Sequence, residues 1–187
     1  MTHESAAGKL LIATPAIGDG NFEQSVIYML HHDPDGALGV IVNRPTELLL
    51  AELLPRWTEL LAPPGFVFSG GPVESDGFIG VGRAAAEADV PEETIVVTGT
   101  DLVTVDLQGD PALTAAYIDR LRVFRGYAGW GPRQLDTEMV AGAWFTVDSK
   151  PDDMWTTLPD ELYADVLKRQ RGELRWFANA PLDPTQN

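Results

Sequence analysis

Three histidines, no cysteine and twenty-eight carboxylates set the chemistry open to this chain of 187 residues. Nucleophilic catalysis needs a base beside the nucleophile. Only His3, His31 and His32 are available for that, so a Ser–His pair has to join Ser25 or Ser69 to His31 or His32. Without cysteine there is no thiolate, no disulfide framework and no Cys metal site. His31, His32, Asp33 and Asp35 cluster at one turn. Neighbouring strand residues point to opposite faces, so the two histidines cannot share one ion, and neither a metal nor another cofactor is expected. A carboxylate base stays open, with Glu74, Asp76, Asp136 and Glu138 in or beside Gly-rich turns. Gly80-Val81-Gly82-Arg83-Ala84-Ala85 fits the loose dinucleotide pattern, but an acidic segment broken by Pro91 follows where a fingerprint opens a helix.

The strongest candidate is a ligand or partner pocket where three turns converge. Leu38 to Val42 is a short apolar run that reads as a buried strand, and Asn43 and Arg44 stand at its carboxyl end before Pro45. The second turn is Ser69-Gly70-Gly71-Pro72, and the third is Gly129-Trp130 with Gln134 and Glu138. In this pocket Arg44 forks onto a carboxylate or phosphate, and the Gly70 and Gly71 amides approach an anion closely. Trp130 stacks on a planar group and Gln134 orients it. The same residues fit a purely structural reading. Asn43 then caps a helix, the glycines make tight turns, Trp130 packs on the core, and Arg44 pairs with an acid such as Glu138. A protein partner, by contrast, would be anchored by an exposed Phe66, Trp57 or Trp155.

Charge narrows the partners. The net charge is −15, and residues 1–119 hold four basic residues against eighteen acids. Nucleic-acid binding rests on neutralising phosphates with Lys and Arg, so direct DNA or RNA contact is not expected. The clusters Arg120, Arg122, Arg125, Arg133 and Lys168, Arg169, Arg171, Arg175 read as solvated faces balancing nearby acids. No long apolar run suggests a membrane span. The start lacks the pattern of a secretory signal, and a cytoplasmic location is the expectation.

Strands are predicted at 9–14, 25–31, 38–42, 66–68, 78–81, 95–98, 102–107, 122–127 and 143–147, and helices at 46–54, 110–121, 134–140 and 161–169. Turns fall at Gly18–Asn21, at Asp33-Pro34-Asp35-Gly36 and at 128–132. Hairpins and helices mix without regular alternation, which favours a single α+β domain over 9–178. The first eight residues are expected to be flexible and residues 179–187 to form a mobile tail.

Several separated stretches, in order, resemble the AlgH/YqgE family of bacterial proteins. They are Lys9-Leu10-Leu11-Ile12-Ala13-Thr14-Pro15, Phe22 with Ser25-Val26, Gly36 to Pro45 and Ser69-Gly70-Gly71-Pro72-Val73, then Gly126-Tyr127-Ala128-Gly129-Trp130 with Gln134-Leu135, Glu138 and Ala143-Trp144. The resemblance implies a compact α+β fold, with a branched mixed β-sheet that includes a small barrel-like part, surrounded by helices. The family is largely uncharacterised, and its frequent label as transcriptional regulator comes from a genetic association rather than from a DNA-binding module. With the residue reading, it implies a non-catalytic binding or regulatory protein acting through a small anionic ligand or a protein partner, as a monomer or small homo-oligomer. The alternative is a hydrolase or transferase acting on a small anionic substrate. The sequence departs from the family pattern at His31, Asp33, Arg133, which stands in place of a Gly, and Asp136.

Overall fold

The computed structural model describes residues 4–14, 20–172 and 174–177. The expected tail at 179–187 lies outside the described residues, as do Gly18 and Asp19 of the first turn and the first three residues of the flexible start.

One mixed sheet of nine strands organises the chain. The strands are β1 (Lys9–Ala13), β2 (Val26–Asp33), β3 (Gly36–Ile41), β4 (Pro45–Leu49), β5 (Phe66–Ser69), β6 (Val73–Ala84), β7 (Leu102–Val105), β8 (Ile118–Trp130) and β9 (Trp144–Asp148). Their order is β4-β5-β8-β3-β2-β1-β9, with β6 joined to both β8 and β7 off that path. The sheet branches at β8 and is not closed into a barrel. The amino-terminal part of β8 lies between β6 and the parallel β5, and its last residues, Ala128 to Trp130, pair with β3.

The turn Asp33-Pro34-Asp35-Gly36 closes the β2–β3 hairpin as expected, with Asp33 Oδ1 accepting the Asp35 and Gly36 amides at 2.8 and 3.1 Å. Four expectations are corrected. Residues 45–49 form an edge strand against β5, and only Leu50–Leu53 are helical (α1). Good helix formers here lose to a non-local ladder, and Pro45 is tolerated at a sheet edge. The helix opened by Asp110, whose side chain accepts the Ala112 amide, stops at Thr114 (α2, Pro111–Thr114). Ile118, Leu121 and Val123 are needed in the core as part of β8. The expected turn at 128–132 is strand as far as Trp130. The run 95–98 contributes only an isolated bridge, Val96 to Val103. The remaining helices are α3 (Gln134–Val140), α4 (Pro159–Lys168) and α5 (Leu174–Phe177).

Alternation along β2 sorts the core by face. Val26, Tyr28 and Leu30 share a cluster with Leu162, Val166 and Leu167 of α4. Ile27 and Met29 share another with Leu135 of α3, Trp130 and Trp144. Trp57 and Trp155, expected as exposed anchors, are only 4% and 6% exposed and belong to the core. Arg122 is no surface residue either. It is 1% exposed, lies 4.5 Å from the Phe68 ring centre, and donates to the carbonyls of Met154, Thr156 and Pro63. Burial, with the neighbouring Arg120 a smaller cause, pushes its pKa down to about 10.

Candidate functional site

Two of the three predicted turns meet, and the third stands at the far end of β3. The Ser69 amide donates to the Arg44 carbonyl at 2.8 Å, and Ile41 N–H to the Gly70 carbonyl at 2.9 Å. Trp130 instead lies opposite Ala37, at the opening of β3. The Gly70 amide is spent on the Arg125 carbonyl at 2.8 Å. Gly70 and Gly71 are required by a backbone crossing: a Cβ on Gly71 (φ +152) would stand 2.2 Å from the Tyr127 carbonyl carbon, and one on Gly70 2.3 Å from the Gly126 oxygen.

Asn43 and Arg44 both face the loop before β2. Asn43 Oδ1 accepts the Val26 amide and its Nδ2 donates to the Gln24 carbonyl, both at 2.9 Å. Arg44 donates to the carbonyls of Asn21 and Glu23, the second at 2.8 Å. Burial lowers its pKa, and Glu23 opposes that shift. The expected Arg44–Glu138 pairing does not form. Glu138 Oε2 accepts both indole N–H groups, from Trp130 at 2.9 Å and Trp144 at 2.8 Å, and its Oε1 accepts Gln134 Nε2 at 2.9 Å. Gln134 Oε1 in turn accepts the Gly131 amide at 3.0 Å.

A third set of contacts links these two clasps. Trp144 meets Phe22 edge-on, with ring centres 5.4 Å apart. Phe22 sits between the two carbonyls that Arg44 holds. The predicted residues are therefore connected through the 20–25 loop and through Trp144, which spacing alone did not single out.

The two candidate histidine bases are engaged as well. His31 and His32 point to opposite faces, as expected. His31 Nε2 is 2.9 Å from Asp33 Oδ2, whose carboxyl is held below the ordinary range first by the Asp35 amide and then by His31. His32 is buried, its Nδ1 accepts the Ala6 amide at 3.0 Å, and its Nε2 lies 3.5 Å from Asp136. Ser25 and His31 stand at opposite ends of β2, about 20 Å apart at the strand rise. Ser69 pairs with Arg125, whereas His31 pairs with Leu38. Neither serine meets a histidine among the described residues. Among the described residues no group of three or more His, Asp or Glu is placed to hold a metal.

Arg133, where the family resemblance carries Gly, has φ +55 and precedes α3. Left-handed backbone costs a non-Gly residue about 1–2 kcal/mol, offset in part by the extra freedom of an unfolded Gly. Arg133→Gly is expected to stabilise the protein by roughly 0.5–1 kcal/mol in urea unfolding.

What the predicted site leaves over is a groove of ≈ 690 Å³ beside the β2–β3 turn. Leu38, Val73, Ile79, Tyr127, Gly129 and the predicted Trp130 are among its lining, with His31, Asp33 and Asp35. Sequence reasoning named Gly129 and Trp130 of this lining and missed the rest, because it comes from four strands that are distant in the chain.

A family model described as AlgH-like matches residues 10–175. A UPF0301 protein of Streptomyces coelicolor is 45% identical over 98% of this chain and 96% of its own length. One of Thermobifida fusca is 40% identical over 100% and 98%. Among solved structures, protein DIP2367 from Corynebacterium diphtheriae superposes with TM-score 0.84 at 27% identity, covering 96% of this chain and 95% of that one. The AlgH protein from Pseudomonas aeruginosa does so with TM-score 0.70 at 26% identity, covering 97% and 98%.

Proposed function

The chain belongs to the AlgH-like family, and from that premise we propose that it works as a binding protein, taking a ligand in the groove beside the β2–β3 turn. One observation carries this reading. The polar residues best suited to chemistry, Asn43, Arg44, Gln134 and Glu138, spend their hydrogen bonds inside the fold, while a groove of small-molecule size stays open. A hydrolase or transferase acting on an anion has less support. Arg44 is committed to loop carbonyls, and Asp33 and Asp35 would repel an anion in the groove. A net charge of −15 also opposes direct nucleic-acid binding. Regulation, in this reading, follows from ligand or partner occupancy rather than from DNA contact.

Native mass spectrometry of freshly purified protein tests it. Wild type is expected to retain a small molecule that Gly129→Leu loses. Gly129 does not use left-handed backbone, and its missing Cβ would stand 3.0 Å from the movable Tyr127 ring and 3.7 Å from Val73. A leucine there fills the groove, and Val73→Trp fills it from β6. Wild-type protein that is bare, or adducts that persist in both folded variants, would overturn the groove as the binding site.

A further inference from the structure

We propose that the groove selects small organic cations, with an ammonium, amidinium or guanidinium head on a flat or short aliphatic body. The inference rests on the groove being the binding site and adds its chemistry. Among the described residues no Lys or Arg lines the groove. Asp33 is fixed at the turn by the amides of Asp35 and Gly36, so its carboxylate is already positioned before a ligand arrives. Among the described residues its side-chain partner is His31, at 2.9 Å. The Asp35 side chain is exposed beside it. The surrounding chain adds to this: residues 1–119 supply His31, Asp33, Asp35, Leu38, Val73 and Ile79, and they carry nearly all of the net charge of −15. A cleft of one sign with low-dielectric walls concentrates the opposite charge.

The rest of the lining suits the body of such a ligand. Tyr127 lines the groove, and its ring edge comes within 3.0 Å of the place a Gly129 Cβ would take. A cation within about 6 Å of an aromatic face is attracted by the ring quadrupole. Leu38, Val73 and Ile79 supply the apolar contact that a few polar groups then orient. An anion of the same shape meets the carboxylates instead.

Benzamidinium, benzamide and benzoate share a shape and differ in charge, so they separate this inference from the reading beneath it. In NMR titrations of the full-length protein near pH 7.5, benzamidinium is expected to shift the Leu38, Tyr127 and Gly129 amides saturably. Its affinity should be about tenfold above that of benzamide and fall in high salt. Benzoate should not saturate. Asp35→Asn should weaken benzamidinium about threefold, the size expected for one exposed charge, and leave benzamide unchanged. Benzamide binding as tightly as benzamidinium, or benzoate binding more tightly, overturns the selectivity and leaves the groove reading standing. Failure of all three probes, beside a native-mass adduct lost in Gly129→Leu, also overturns the selectivity alone. Failure of all three with bare wild-type protein removes both.

Discussion

Arg122→Ala is expected to lower the free energy of unfolding by about 4 kcal/mol, read as a fall in urea midpoint at constant slope. The guanidinium sits 1% exposed on β8 and reaches two segments that make no ladder of their own there: the loop at Pro63 and the stretch Met154–Thr156 that leads into α4. Its partners are carbonyls, not carboxylates, and the Phe68 face covers it. Truncation strips three acceptors of a charged donor and opens a cavity under Phe68, two costs that add. Arg122→Lys keeps the charge, which an arginine also keeps at neutral pH with a pKa of about 10. It loses the planar fork and the ring stacking, so about half of the alanine cost is expected, roughly 2 kcal/mol. Arg122→Met, which removes the buried charge but keeps the volume, should fall between them. An alanine variant within 1 kcal/mol of wild type would mean that water satisfies the carbonyls and that the arginine is not what holds them.

Local chemistry was legible and distant pairing was not. The β2–β3 hairpin could be read because Asp33, Pro34 and Gly36 fix their own turn. Helix α4 could be read because Leu162 and Val166 repeat on one face. Residues 45–49 misled because Glu and Leu favour a helix in isolation, while their partner, β5, is some twenty residues away. Ile118 to Leu121 misled in the same way, since β6 decides their state and their own propensity does not. Arg122 looked like one charge in a basic cluster because nothing in a strand's sequence says which face holds a carbonyl-lined slot.

The candidate site was legible in its members and not in their roles. The residues that carry the AlgH/YqgE resemblance contact one another across the fold: Asn43 and Arg44 with the loop before β2, Gly70 and Gly71 with Gly126 and Tyr127, Glu138 with Trp130 and Trp144. Residue types alone cannot distinguish a guanidinium waiting for a ligand from one spent on backbone carbonyls. The groove itself needed β3, β6 and β8 placed side by side before Leu38, Val73, Ile79 and Tyr127 had anything in common.

Glu138→Ala should cost about 3–4 kcal/mol, and the two tryptophans report on it directly. One carboxylate accepts two indole N–H groups and the Gln134 amide, and both indoles are at most 7% exposed. Without it, two buried donors lose their acceptor and α3 loses its tie to β8 and β9, so the tryptophan emission should change in folded protein as well as the midpoint. Glu138→Gln keeps an oxygen for the indoles but turns an amide N–H toward the Gln134 amide, donor against donor, and about 1–2 kcal/mol is expected. The contacts from Trp144 to Phe22 and from that loop to Arg44 make a sharper claim. Residues that share a network fail to add, so a cycle of Glu138→Ala and Arg44→Ala should show a coupling of at least about 0.5 kcal/mol. Additive costs would separate the two clasps and leave the 20–25 loop bound by Asn43 and Arg44 alone.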